Sequence, residues 1–278
     1  MIRRPPRSTP SNSSAASDVY KRQVTRLRDY FIKATDYMTG ALTRPDKALC
    51  YVDDDWGGYP GGKTGNGPYY QSSMQLAYSD TTLIDDHAAT YASDYYNILQ
   101  QPDYEFIHTM VHGGSWCHLF MVDHSYEERV HSNPAYPFNY KLFDIDGNAL
   151  FYNLYSCSNG DYHDAPDIYI AGEYVFGSAF SLTVTTSSKT GGMLGYASFY
   201  DRINSNHLQG TAWLAWWKEV GMNIDAGAAE IVWADCVNTM EETWYPDPSY
   251  PINLDDLYEY HEQWFGGMVF IGDPTLIT

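Results

Sequence analysis

The chain has 278 residues, 44% hydrophobic and 16% aromatic, and its 35 Asp and Glu against 16 Lys and Arg give a formal charge of -19. A surface this acidic repels the phosphates of nucleic acid and of anionic lipid, so neither is an expected partner. No apolar run reaches the ~20 residues that span a bilayer, and the length suits one large α/β domain with a well-buried core.

Residues 1 to 23 are rich in Arg, Ser and Pro, almost free of acid, and lack the apolar stretch of a secretory signal. They resemble the translated read-through of a sequencing adapter that recurs at the ends of proteins inferred from assembled environmental DNA. That resemblance implies a non-native, disordered tail, with the true N-terminus and any signal peptide outside the sequence. The tail holds five of the basic residues (Arg3, Arg4, Arg7, Lys21, Arg22) and one acid (Asp18), so 11 basic residues face 34 acidic ones beyond it, a charge of about -23. Such a balance suits a secreted or cell-surface protein and makes structural calcium a candidate ligand.

From Val24 to Met38 the apolar Leu27, Phe31, Ala34 and Met38 fall at helical spacing, with Gly40 as the stop. Ala48 to Val52 reads as the first strand. Asp53, Asp54 and Asp55 follow at its carboxyl end, where adjacent carboxylates raise one another's pKa unless a cation or donor offsets them; a solvated acidic loop is the alternative. A Gly-rich loop runs on to Tyr69. Ser79 to Gln100 carries Leu83, His87, Tyr91, Tyr95, Ile98 and Leu99 at a spacing that predicts a helix crossing to the next strand. Phe106 to Gly114 is an apolar, β-prone run that delivers His112, and Trp116, Cys117 and Tyr126 to Phe138 read as an aromatic loop of the kind that carries substrate contacts.

Asp144 to Asn148 has the start of a calcium loop without its downstream Glu, so a turn is expected. Phe151 to Asp161 is a second β-prone run, delivering Cys157 before the turn-forming Ser158, Asn159 and Gly160. Tyr174 to Phe180 and Ser181 to Ser187 read as a helix and a strand. Trp213, Trp216 and Trp217 give the buried face of a helix over Gln209 to Val220, or else a strip for stacking sugars. Glu230 to Val237 and Tyr258 to Ile271 complete the pattern.

Two strands ending side by side at the carboxyl edge of an α/β sheet would bring the His112 imidazole and the Cys157 thiol into one crevice. Gly113, Gly114 and the turn after Cys157 offer backbone N–H groups of the kind an oxyanion needs. The four cysteines, Cys50, Cys117, Cys157 and Cys236, are widely spaced and read as free thiols. Cys117 is a rival nucleophile, close to His112 in sequence. His108 and His112, four apart on one strand, would stand about 13 Å from each other, which argues against a metal site.

His112-Gly113, then Cys157-x-x-Gly160-Asp161 about 45 residues later, and a closing Phe270-Ile271-Gly272-Asp273-Pro274-Thr275-Leu276 together resemble the gingipain family of cysteine peptidases. Lys47 to Val52, ending in acidic residues, is similar to that family's first catalytic strand. The resemblance covers residues 24 to 278 and implies a caspase-like three-layer α/β sandwich, a mostly parallel sheet flanked by helices, with further domains beyond the C-terminus. It implies Cys157 as nucleophile and His112 as general base, and Asp55 as the carboxylate orienting His112, with Asp53 and Asp54 as alternatives. The same site would use the backbone N–H of Gly113 and Cys157 for the oxyanion. Trp116, Thr190, Gly191 and Gly192 would line the substrate pocket, the substrate would be protein or peptide, and no cofactor would be required. A carbohydrate-binding protein and a non-catalytic module on a degenerate peptidase fold remain the other readings.

Overall fold

Lys47–Val52 (β1) is buried from Ala48 onward, as expected of an apolar strand covered on both faces. The structure, a computed structural model, describes residues 13–53, 66–122, 126–137, 139–177, 181–189 and 268–272. Contacts divide the chain into two units, Met1–Leu42 and Thr43–Thr278.

In the first unit, helix α1 spans Ser13–Met38 and stops where Gly40 adopts a φ of 75°, a conformation Gly reaches without strain. The helix starts upstream of the expected Val24, so residues from Ser13 on are helical where a disordered tail was expected. Ala15, Ala16, Lys21 and Arg22 are good helix formers, and no Pro lies between Pro10 and Pro45. Of the apolar stripe read from the spacing, Leu27, Phe31 and Met38 are exposed, while Ala34 and its neighbour Tyr30 are buried.

The second unit is built on a six-stranded sheet. After β1 come helix α2 (Asn66–Met74), β2 (Asp80–Ile84), helix α3 (Ala92–Ile98) and β3 (Phe106–Met110). Beyond a smaller sheet, β8 (Phe151–Tyr155), helix α4 (Ile170–Phe176), β9 (Thr183–Ser187) and β10 (Met268–Gly272) complete it. The order is β10-β9-β8-β3-β1-β2, parallel throughout except for β10, a mixed α/β architecture with a mostly parallel sheet. The crossover helix expected over Ser79–Gln100 is replaced by β2, a 3-10 turn at His87–Ala89 and the short α3. Thr81 and Thr82 are β-branched and Lys47 to Tyr51 present an open edge, so the segment pairs with β1. The Asp86 carboxylate then accepts from Ala88 N and turns the chain away.

The aromatic loop expected after His112 is instead a four-stranded sheet. It comprises β4 (His112–Gly114), β5 (Cys117–Val122), β6 (Tyr126–His131) and β7 (Tyr140–Lys141), antiparallel up to β6. Its apolar side chains include Phe120 and Val130, both fully buried. The core between these layers is rich in rings. Tyr51, Tyr95, Tyr152, Tyr174, Phe120 and Phe151 are its largest fully buried side chains, each contributing about 1.5–3 kcal/mol by burial. Two of the hydroxyls join a buried network: Tyr95 and Tyr174 Oη lie 2.8 Å apart, Thr109 Oγ1 donates to Tyr95 (3.0 Å), and His118 Nε2 is 3.1 Å from Tyr174 Oη.

Candidate active site

Three neighbouring strands end level with one another. Val52 pairs with Met110 and Met110 with Tyr155, and the ladder runs one residue further: Asp53 N donates to Met110 O (2.9 Å) and Val111 N to Tyr155 O (3.3 Å). Asp53, His112 and Cys157 therefore leave the carboxyl edge within two residues of the ends of β1, β3 and β8. That edge of an α/β sheet is where the next residues are free to form a site. His112 itself is not the last residue of a continuous strand. The chain turns at Val111 and His112 opens β4, so His108 and His112 sit on different strands of different sheets. His108 is fully buried against Tyr70 (ring centroids 4.5 Å), and burial pushes its imidazole down to about 3.

The two loops that leave this edge interlock. A methyl group on Gly113 would overlap Ser156 Oγ and come within 2.7 Å of Asn159 Nδ2 and 2.9 Å of the Cys157 carbonyl oxygen, so only Gly fits between the His112 strand and the Cys157 turn. Asn159 is fully buried, and its Nδ2 donates to the carbonyls of Gly114 (2.7 Å) and Cys117 (3.1 Å), with Cys157 O at 3.4 Å. The turn is anchored on its other side as well: Ser158 N donates to Lys189 O and Gly160 N to Ser187 O, both at 2.8 Å, at the end of β9. Ser158 holds a φ of 55°, a left-handed conformation that costs a non-Gly residue roughly 1–2 kcal/mol and persists because these bonds fix it.

The thiols differ sharply. Cys50 and Cys117 are buried, and burial pushes both up, Cys117 to about 12, with Glu127 adding to the rise and Arg129 opposing it. A thiol held protonated and covered is a poor nucleophile. Cys157 is half-exposed, and none of the three forms a disulfide; Cys236 lies outside the described residues.

Asp53 is fully buried, and its Oδ2 accepts from Met121 N (3.0 Å) of β5, two residues beyond the partner of His112, Leu119. Asp55, Thr190, Gly191 and Gly192 lie outside the described residues, as do the helix expected around Trp213, Trp216 and Trp217 and the segment Glu230 to Val237. Trp116 occupies the β4–β5 turn, where its ring faces the Arg129 guanidinium (5.6 Å) and Tyr136 (4.5 Å between centroids). Arg129 also donates to Tyr136 Oη (2.7 Å) and pairs with Glu127. Trp116 is thus braced by a cation–π cluster beside the His112 strand.

In place of the expected turn, Asp144 closes a 3-10 helix (Leu142–Asp144) and the chain bends at Ile145 and runs irregularly to Asn148, with Arg44 Nε donating to Asn148 O (2.6 Å) and Asn148 Nδ2 to Gln100 O (2.7 Å). Among the described residues no group of three His, Cys, Asp or Glu could hold a metal ion, and no helix is long and apolar enough to cross a membrane.

No family model and no curated protein matches the sequence. Among solved structures, a chain described as "Structure of Protease" superposes with a TM-score of 0.58 at 11% identity, over 91% of this chain and 53% of that one. The two chains share a fold. This chain spans about half the length of that neighbour. At this sheet edge, the residue that sequence reasoning passed over is Asn159. The run Ser158-Asn159-Gly160 signals a turn, and nothing in it says that the carboxamide points inward to bridge two loops.

Proposed function

We propose that the protein is a gingipain-like cysteine endopeptidase with Cys157 as nucleophile and His112 as general base. The observation that carries this reading is the packing of Gly113 against the Cys157 carbonyl, which holds the residues bearing imidazole and thiol on one sheet edge while the other described thiols are sealed away. His112 takes the proton of the Cys157 thiol, or the two rest as an imidazolium–thiolate pair, and the sulfur attacks the carbonyl carbon of the scissile bond. The N–H groups of Gly113 and Cys157 hold the oxyanion, each well-aimed donor contributing roughly 3 kcal/mol. His112 then protonates the leaving amine, and water, deprotonated by the same imidazole, hydrolyses the thioester.

An acidic residue after β1, Asp55 in this reading with Asp53 and Asp54 as alternatives, orients the imidazole. Trp116 with Thr190, Gly191 and Gly192 walls the pocket for the residue before the scissile bond. The reaction needs no cofactor; calcium, where bound, is structural, and the protein acts outside the cell or on its surface. The test is hydrolysis of an unfolded protein substrate by three proteins. The parent and Cys117→Ala should cleave it, and Cys157→Ala should be inert while keeping its circular dichroism; cleavage by Cys157→Ala would sink the assignment.

A further inference from the structure

Asn159 takes no part in the proposed chemistry, yet its side chain makes three contacts between the two loops. Asn159 is fully buried, and its amide nitrogen has two hydrogens for three carbonyl oxygens, so the 2.7 and 3.1 Å contacts to Gly114 and Cys117 are the firm bonds and the 3.4 Å contact to Cys157 O a shared one. Gly114 follows His112 by two residues and lies opposite Cys117 across the hairpin. The carboxamide therefore spans both strands of the hairpin that carries His112 while belonging to the turn that carries Cys157. Its main chain is tied down separately, since Asn159 O accepts from Ala171 N (3.2 Å) in α4. The turn is thus referenced to a helix on one side and to the β4–β5 hairpin on the other.

We propose that Asn159 is the positioning residue of this site, its carboxamide setting the separation and angle between the Cys157 sulfur and the His112 imidazole by clamping the Cys157 turn to the Gly114 and Cys117 carbonyls. The inference rests on the Cys157–His112 reading and extends it. Asn159 touches neither substrate nor the reacting atoms; it acts through the two loops.

The experiment measures the rate of Cys157 alkylation by iodoacetamide from pH 5 to 9.5, together with kcat and KM for a fluorogenic peptide, in the parent, Asn159→Ala and Asn159→Ser. A cysteine paired with an imidazolium alkylates well below the pH of a free thiol. In folded Asn159→Ala the low-pH rate should fall at least tenfold, with the profile moving toward that of a free thiol, and kcat should fall at least tenfold with KM within about threefold. Asn159→Ser keeps one donor but cannot reach both carbonyls, so its profile should lie between; it also supplies the test if the Ala variant does not fold. A folded variant with the parent's alkylation profile overturns the inference while leaving the peptidase reading standing. A parent protein whose Cys157 already alkylates like a free thiol overturns the peptidase reading itself, and this inference with it.

Discussion

Adding one methyl group at Gly113 probes the interlock of the two loops directly. The new carbon would overlap Ser156 Oγ and lie 2.7 Å from Asn159 Nδ2 and 2.9 Å from Cys157 O; the last is backbone and cannot rotate aside. Forcing an extra carbon into such a space costs about 1–3 kcal/mol. At roughly 2–4 °C per kcal/mol for a domain of this size, the melting temperature should fall by about 2–12 °C. The turn must move away from β4, and a displacement near 1 Å of a reacting group costs on the order of 10²-fold in rate. Gly114→Ala is the matched control, because a methyl there meets only Cys117 Sγ at an ordinary 3.8 Å. The assay is kcat/KM on a fluorogenic peptide beside a thermal melt followed by circular dichroism. Gly113→Ala should lose about two orders of magnitude in activity, and Gly114→Ala less than about threefold. Equal behaviour of the two variants would refute the close approach of the loops.

Other outcomes follow from the core and the thiols. His108 and His118 are buried and held neutral, each pushed by burial down to about 3 from an ordinary 6.5. The folded state resists protonation that the unfolded chain accepts, so their contribution is complete above pH 6.5 and is lost as pH falls toward 3, at up to about 1.4 kcal/mol per pH unit for each. Urea midpoints at pH 7.5 and 5 should show this loss; a flat profile would contradict it. Tyr95→Phe removes the hydroxyl shared by Thr109 and Tyr174 and should destabilise by about 1–3 kcal/mol in urea unfolding, with little cost to KM. In native protein one equivalent of iodoacetamide should label Cys157 well before Cys50 or Cys117, read by peptide mass mapping; prior labelling of Cys117 would contradict the burial order.

The elements legible in the sequence were those whose burial is uniform. Ala48 to Val52, Phe106 to Met110, Phe151 to Tyr155 and Thr183 to Ser187 are continuous β-prone runs covered on both faces, and they appear where expected. The turn after Cys157 was equally plain, since Ser-Asn-Gly can do little else. Edge strand β2 was hidden because its residues are only half-buried, and because Leu83, His87 and Tyr91 happen to fall four apart, which mimics a helix face. The β4–β5 hairpin was hidden because its turn, Ser115-Trp116, lacks the Asn-Gly signature that marks tight hairpins. His112 was found as a residue at a strand end, but its place at the start of a second sheet depends on pairing with Leu119, a tertiary fact. Asn159 shows the same limit, for its partners come from residues 42 and 45 positions away.

The central claim is that Cys157 and His112 face one crevice as a reacting pair. Its most direct measurement is a crystal structure of the protein inactivated by a peptidyl chloromethyl ketone. The account predicts a bond between the inhibitor and Cys157 Sγ, with a His112 ring nitrogen within hydrogen-bond reach, about 3–4 Å, of that sulfur or of the former carbonyl oxygen. An adduct on another residue, or a His112 ring turned away beyond about 6 Å, would contradict it.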